Sequence, residues 1–306
     1  MDADNDTGGS AFPDENNSCD DEELRKDNSE NPNKTRRGKP IKNALQKLKV
    51  MYNNINGIKT KIPSLKRIVS EEKPVILALT ETKLKESDTF SLDGYVVKRL
   101  DRKTDGGGIL IAYKECLKNI TLTVREEIKE AEMLWVKIDN GKMKWRIGII
   151  YMPQENTTTI NKLKKVYSMI KEEVVKAQAQ NEKVMLMGDL NCKVGDIIEN
   201  NSTVVSKGGK VLKTFCSEMG LIITNSMNIC EGTWTRMSRD KKSVLDYIIV
   251  NQEVAAEVEK VSIDEDKMIT PYHVVGKEVI YSDHCMMTIV HKDNYKNAVK
   301  VLIICG

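Results

Sequence analysis

An apolar run, Val184–Met187, is followed after one glycine by an acid and an amide, Asp189 and Asn191. Such a run, bounded by charged residues and ended by glycine, is typical of a strand buried on both faces. A carboxylate at the end of that strand needs a metal, a cation or hydrogen bonds to offset its desolvation. Asp189 is therefore a candidate for chemistry, although an aspartate after a strand more commonly caps the next turn or helix.

Two further acids lie at or within apolar runs. Glu81 follows the run Val75–Leu79, and Asp246 lies inside the run Val244–Val250. A buried carboxylate requires a hydrogen-bonding or charged partner, so the position of Asp246 inside the run predicts that its side chain has one.

The chain has three histidines, His273, His284 and His291. His284 follows Asp283 and directly precedes the apolar run Cys285–Val290. A histidine at the start of a buried strand is more often structural. Asp246, however, supplies the orienting carboxylate that a working imidazole needs, which favours a functional His284.

From Leu45 onward, short apolar runs alternate with longer amphipathic segments, a pattern that predicts a layered α/β domain. An Asn-Gly pair between two of these runs predicts an antiparallel hairpin, in which Trp135 and Trp145 serve packing. The helices are predicted at 64–72, 159–180 and 208–219. The strands are predicted at 47–54, 75–79, 109–113, 134–138, 145–151, 184–187, 221–224, 244–250 and 285–290, with an extended segment from Gly232.

Three consecutive glycines, Gly106–Gly108, precede one of the predicted strands. They indicate a loop in which the backbone comes close to another group. The motif by itself is weak evidence, since a hinge is more common than a phosphate-binding loop.

Length and composition fit one α/β domain, with 306 residues of which 40% are hydrophobic. The seven cysteines are widely spaced and include no C-x-x-C pair, so the sequence indicates neither a disulfide framework nor a zinc module. No apolar run approaches the roughly 18 residues that span a bilayer, and the N-terminus is acidic. We expect a soluble, intracellular protein without a membrane partner, in a reducing compartment. A nuclear location is an expectation that depends on the substrate.

The charge distribution divides the chain. Residues 1–30 contain eleven acids and two bases, whereas residues 31–49 contain seven bases and no acid. We predict a disordered acidic-then-basic segment at 1–44, a folded domain at 45–291 and a short tail at 292–306. The basic stretch Lys34–Lys42 is either a solvated linker or a contact for phosphates and a nuclear address.

Seven short motifs occur in one order and together resemble the endonuclease/exonuclease/phosphatase superfamily over residues 48–290. They are most similar to the endonuclease domain of LINE-type (non-LTR) retrotransposons and to the apurinic/apyrimidinic endonucleases. The motifs are Asn54-Ile55-Asn56-Gly57, Thr80-Glu81-Thr82, Ile150-Tyr151-Met152-Pro153, Gly188-Asp189-Leu190-Asn191, Thr233-Trp234, Leu245-Asp246-Tyr247 and Ser282-Asp283-His284.

The resemblance implies a four-layer α/β sandwich, in which two packed mixed β-sheets are flanked by helices and the site lies at the strand ends. It further implies a Mg²⁺-dependent enzyme that hydrolyses phosphodiester bonds and nicks one strand of DNA, with Mn²⁺ as a second candidate ion. No obligate protein partner is indicated.

The same resemblance assigns roles to the motif residues. Glu81 is the principal metal ligand, with Asn54 and Asp283 as further ligands. Asp189 orients or deprotonates the attacking water, Asn191 holds Asp189 and a phosphate oxygen, and His284, oriented by Asp246, contacts the scissile phosphate. Tyr151 contacts the phosphate or leaving group, Thr233 and Ser282 supply hydroxyl contacts, and Trp234 either supports the DNA surface or packs in the core.

Two departures from the family pattern affect these expectations. Abasic-site repair enzymes usually carry an acid where this chain has Asn56, which puts strong abasic-site activity in doubt. No sequence after His291 could encode a reverse transcriptase, so we expect an isolated endonuclease domain, a fragment or a domesticated copy. A phosphatase of the same fold that acts on small phosphoesters and a catalytically idle binding protein stay as alternatives.

Overall fold

The computed structural model describes residues 47–102, 106–117, 119–125, 131–139, 141, 143–152, 154–195, 204–238, 241–266, 269, 274–275, 278–279 and 283–294. The helices are α1 Ile62–Glu72, α2 Ile160–Ala179, α3 Lys207–Met219 and α4 Gln252–Glu257. The strands are β1 Lys47–Asn54, β2 Ile76–Thr80, β3 Tyr95–Leu100, β4 Ile109–Lys114, β5 Ile120–Arg125, β6 Glu132–Asp139, β7 Lys144–Tyr151, β8 Lys183–Asp189, β9 Leu221–Ile223, β10 Cys230–Glu231, β11 Arg236–Ser238, β12 Lys241–Ser243, β13 Asp246–Asn251, β14 Val258–Ile263, β15 Val274–Val275, β16 Glu278–Val279 and β17 Met287–Asn294.

Most strands belong to two mixed sheets. The first sheet has the order β10-β14-β17-β1-β2-β4-β3, and the second has the order β5-β6-β7-β8-β13-β9. Strands β1 and β2 run parallel in the first sheet, as do β7 and β8 in the second. The carboxyl ends of these four strands carry four of the seven predicted motifs, those that contain Asn54, Glu81, Tyr151 and Asp189.

Alternation of side chains along the strands builds three apolar layers. In β2, Ile76 and Ala78 face the second sheet, whereas Leu77 and Leu79 pack on the side of α1. In β8, the odd-numbered methionines enter the layer between the sheets and the intervening residues pack with α2 and α3. Because both faces of these strands are buried, their sequences are continuously apolar. The chain is thus the predicted four-layer α/β sandwich with two mixed β-sheets flanked by helices.

An ionic cluster ties the two sheets together at the end where β7 and β8 begin. Lys183 of β8 donates to Glu257 at 2.6 Å and to Asp293 of β17 at 3.1 Å. Trp145 also donates to Asp293, at 3.1 Å, from β7. These contacts fix the spacing of the sheets and leave the opposite strand ends to form the site.

The predicted elements occur with shifted ends. Helix α1 begins at Ile62 and contains Pro63 in its first turn, where the missing N–H costs no hydrogen bond. The closing strand, predicted at Cys285–Val290, is found at Met287–Asn294, and the segment from Gly232 becomes a strand at Arg236. The sequence does not predict strands β3, β5 and β14, because their exposed positions break the apolar pattern. Within the described ranges, no helix combines the length and apolarity needed to cross a membrane.

Candidate active site at the strand ends

Four polar residues lie side by side across the second sheet. Strand pairing places Glu132 opposite Tyr151, Tyr151 opposite Asp189, and Asp189 opposite Asp246. The row therefore crosses four neighbouring strands at one level. Residues separated by up to 114 positions in sequence become immediate neighbours because the strand registers align them.

The first sheet contributes Asn54 and Glu81 from adjacent strand ends. Asn54 is the last residue of β1 and pairs with Thr80, the last residue of β2. Glu81 follows directly with a left-handed backbone (φ 52°), and Asn191, two residues after the end of β8, has φ 46°. Since L residues with side chains rarely adopt this conformation, both turns carry a backbone cost of about 1–2 kcal/mol.

Asn54 connects the acidic groups of the two sheets. Its Nδ2 atom donates to Oε1 of Glu81 at 3.0 Å and to Oδ2 of Asp189 at 2.9 Å. Asn54 is fully buried and Asp189 nearly so. One amide thus holds two carboxylates that the chain places 108 residues apart.

His284 is held by Asp246. The imidazole Nδ1 donates to Oδ2 of Asp246 at 2.7 Å, and Tyr52 donates to the other carboxylate oxygen at 3.1 Å. The second imidazole nitrogen, Nε2, lies 3.9 Å from Asp189 and 3.8 Å from Asp283. Asp246 therefore orients the ring so that Nε2 faces the acids of the site.

The site is rich in negative charge, which changes its proton affinities. Burial raises the pKa of Asp189, and the Asp246 carboxylate raises it further against the opposing effect of His284. Burial by itself would lower the pKa of His284, but the carboxylates of Asp246, Asp189 and Asp283 outweigh it and raise the pKa to about 9. The imidazole of the metal-free protein is therefore protonated at neutral pH.

Asp283 lies at the outer edge of this group. It accepts a hydrogen bond from Asn56 at 3.1 Å and another from Arg236 at 3.1 Å. Burial would raise its pKa, but His284 and these two donors lower it below the usual range. Asp283 is thus an ionised carboxylate beside the imidazole.

Asn191 and Tyr151 complete the inner set. The Asn191 N–H donates to Oδ1 of Asp189 at 3.0 Å, and its side chain donates to Met152 O at 2.9 Å. Asp189 accordingly both caps a turn and faces the site, so the two interpretations of this residue are compatible. Burial raises the pKa of Tyr151, and the negative charge of Glu81 raises it further, which keeps the phenol protonated.

The Thr233-Trp234 pair makes contacts of another kind. Thr233 donates to Glu265 at 3.1 Å, and Trp234 lies in the apolar layer between the sheets. The Lys242 ammonium lies 4.9 Å from the centre of the Trp234 ring. Trp234 therefore has a packing role. It supports the residues that lie over it at the surface, such as Lys242. Ser282 lies outside the described residues.

Several supporting residues carry no signal in the sequence. Tyr52 supports Asp246 from within the first sheet, and the Thr235 hydroxyl accepts the N–H groups of Leu245 and Asp246 at 3.0 and 3.1 Å. Lys61 donates to the carbonyls of Ile55 and Asn56, and burial lowers its pKa to about 8. Each of these residues hydrogen-bonds a motif residue that is brought next to it by the fold. The spacing of residues in the sequence does not reveal such contacts.

The donor set fits a hard divalent cation. Glu81 and Asp189 offer carboxylate oxygens to the Asn54 amide, and Asp283 adds a carboxylate beside His284. Ligand atoms of Asp189, Asp246 and His284 lie within 4.8 Å of one another. Burial and the neighbouring Asp246 carboxylate raise the pKa of Asp189, and a bound cation would oppose both effects. Oxygen ligands of this type suit Mg²⁺ or Mn²⁺ better than a thiolate-preferring ion.

The sandwich with an acidic site at its strand ends defines the class of the protein. Residues 54–284 match the endonuclease/exonuclease/phosphatase family, and the chain belongs to that family. Its members are hydrolases that act on phosphoester bonds, and its nucleases generally use divalent metals. No curated protein sequence matches the chain.

Solved structures with the same fold include three that act on nucleic acids by their descriptions. A 3′ phosphatase, NExo from Neisseria bound to a product DNA hairpin, is 15% identical, with 80% of this chain and 99% of that chain covered and a TM-score of 0.63. The endonuclease domain of TRAS1, a telomere-specific non-LTR retrotransposon, is 16% identical, with coverage of 80% and 98% and a TM-score of 0.56. The AP endonuclease LMAP from Leishmania major is 15% identical, with coverage of 81% and 88% and a TM-score of 0.61. At these identities the likeness shows the fold alone.

Proposed function

We propose that this protein is a Mg²⁺-dependent endonuclease that nicks one strand of DNA, and that its domain derives from a non-LTR retrotransposon. The observation that carries the proposal is the convergence of Asp189, His284 and the Asn54–Glu81 pair at one set of strand ends. The TRAS1 endonuclease domain and the AP endonuclease share this fold, and the Neisseria 3′ phosphatase with the same fold binds a product DNA hairpin. Manganese is a second candidate ion.

Asp189 acts on the attacking water in this proposal. Its Oδ1 atom is occupied by the Asn191 N–H, whereas Oδ2 faces Asn54 and His284. A carboxylate with a raised pKa is a better proton acceptor near neutral pH than an ordinary aspartate. Asp189 therefore orients the water and takes its proton.

His284 contacts the scissile phosphate. Asp246 engages Nδ1 and directs Nε2 toward the acids of the site, where the Nε2–H group would donate to a phosphate oxygen of the substrate. Tyr151, a protonated phenol beside Glu81, donates to the phosphate or the leaving oxygen. A bound divalent cation, held by Glu81, Asn54 and Asp283, would neutralise charge on the phosphate.

The DNA contacts are modest in number. The formal net charge of the whole chain is +3, so we expect weak, salt-sensitive binding of the phosphate backbone. Thr233 and Ser282 are proposed hydroxyl contacts and Trp234 supports the surface next to them. A nuclear location would follow from a chromosomal substrate.

Nicking of supercoiled plasmid by the purified full chain tests the proposal. We expect open circles with Mg²⁺ and none with EDTA, and a rate loss of about 10²–10⁴-fold for D189N and for H284A. D93N is the matched control, because Asp93 is an exposed acid distant from these strand ends. A folded wild type that leaves plasmid intact would refute the nuclease proposal, and a 3′-phosphorylated oligonucleotide then tests the phosphatase alternative.

A further inference from the structure

The Gly106–Gly108 loop has a defined role next to the site. All three glycines have positive φ angles, of 84°, 70° and 94°. The carbonyl of Gly108 accepts the Thr82 N–H at 3.1 Å, and that of Gly107 accepts the Lys83 N–H at 2.9 Å. The loop therefore supports the turn that immediately follows Glu81.

This loop is in turn held by Glu132, the first residue of β6. Glu132 is 7% exposed, and its Oε2 atom accepts the Gly108 N–H at 2.6 Å. A Cβ atom on Gly107 would lie 2.1 Å from Oε1 of Glu132, so the loop and the carboxylate approach as closely as glycine permits. A hydrogen bond from a backbone N–H to a carboxylate is about twice as strong as one between neutral groups.

Glu132 also reaches the site from the second sheet. It lies opposite Tyr151 in the strand register, and Tyr151 lies near enough to Glu81 for that carboxylate to raise the pKa of the phenol. Glu81 is thus restrained twice, by the Asn54 amide at its carboxylate and by the glycine loop behind its backbone. The second of these restraints is held by Glu132.

We propose that Glu132 is a positioning residue for Glu81, acting through the Gly106–Gly108 loop. The carboxylate belongs to the second sheet, whereas the loop and the Glu81 turn belong to the first. It therefore sets the position of the principal metal ligand relative to the row that contains Asp189. The metal-affinity part of the inference rests on the proposed function, but the restraint of the turn does not.

Two substitutions separate the hydrogen bond from the volume of the side chain. E132L removes the acceptor at similar size, whereas E132Q keeps a carbonyl oxygen that can accept the Gly108 N–H. E182L is the control, because Glu182 is also buried and paired, with Arg146 at 2.9 Å, but lies where β8 begins. E182L disturbs a buried ion pair without touching the glycine loop.

Hydrogen exchange of the metal-free full chain, followed by mass spectrometry, gives the first readout. We expect faster exchange of peptides containing Thr82 and Lys83 in E132L, near-normal exchange in E132Q, and no change at these amides in E182L. The dissociation constant for Mg²⁺, measured from the metal-dependent shift in unfolding midpoint, should rise about 10–100-fold in E132L and recover in E132Q.

The hydrogen-exchange readout tests the positioning role, and the Mg²⁺-binding and nicking readouts test the proposed function. Unchanged exchange at Thr82 and Lys83 in folded E132L would overturn the positioning role, whatever the nicking assay shows. A wild type that neither binds Mg²⁺ nor nicks DNA would refute the proposed function, while the exchange experiment still decides whether Glu132 restrains the turn. In an active enzyme, E132L should lower kcat and leave the KM for DNA unchanged.

Discussion

The Nδ1 atom of His284 lies 2.7 Å from Oδ2 of Asp246, although the two residues are 38 positions apart. Asp246 begins β13 in the second sheet, and His284 immediately precedes the segment that leads into β17 in the first. This contact joins the start of β13 to the segment before β17 at the end of the sandwich where the candidate site lies. It also determines which imidazole nitrogen faces the acids of the site.

The protonation of His284 gives a direct test of this arrangement. In the metal-free protein its pKa is raised to about 9, above the ordinary value of 6.5. The imidazolium therefore stabilises the fold fully below pH 6.5, and this contribution is lost as pH rises to about 9. NMR titration of the imidazole nitrogens in EDTA should show this pKa, and D246N should lower it.

His291 provides an internal control for that titration. It is buried, and burial lowers its pKa below 6.5, so its signal should change at lower pH than that of His284. A His284 signal that titrates near 6.5 in the folded, metal-free wild type would contradict the contact with Asp246.

Magnesium should stabilise the fold through Glu81. A ligand that binds the folded state at 100 times its dissociation constant adds about 2.7 kcal/mol to the free energy of unfolding. We expect wild type to show a Mg²⁺-dependent rise of the urea midpoint, and E81Q to lose it. E86Q changes an exposed glutamate five positions away and should behave as wild type. An E81Q protein with the full Mg²⁺ response would exclude Glu81 as the principal ligand.

Tyr52 should be needed for more than stability. Its hydroxyl bonds Asp246 at 3.1 Å and Thr80 at 2.9 Å, so Y52F removes a buried partner at a cost of about 1–3 kcal/mol. Y247F is a matched control, since Tyr247 is equally buried and donates to Cys192 O and Val244 O. We expect similar losses of unfolding free energy by urea titration, but a lower nicking rate for Y52F alone. Equal rates in the two variants would show that Tyr52 is structural.

The strand-end residues can be predicted because each lies next to or within an apolar run in its own local sequence. Asp189 and Glu81 follow such a run, Asp246 lies inside one, and Asn54 ends a strand whose predicted limits match those found. The pattern has a physical cause, because these strands are covered on both faces and polar residues begin where the cover ends.

The residues that support them could not be found in this way. Glu132 follows the charged segment 126–130 in sequence and resembles one more solvated glutamate, until strand register sets it opposite Tyr151. Tyr52 has the apolar character of its neighbours, and its hydroxyl acquires a role through contact with the other sheet. Such roles depend on pairing between strands, which local periodicity does not specify.

Gly188 should be irreplaceable, because it lets β7 and β8 approach next to Asp189. A Cβ atom at this position would lie 1.8 Å from the backbone oxygen of Ile150, which cannot move away as a side-chain end could. We expect G188A to cost about 3 kcal/mol or more in urea unfolding and to displace Asp189. Gly220 ends α3 with φ 62°, and a Cβ atom there would meet nothing within 4 Å, so G220A should cost about 1–2 kcal/mol from backbone strain alone. At equal folded fraction, G188A should lose nicking and G220A should retain it. A G188A protein with normal stability and activity would contradict the close approach of these two strands.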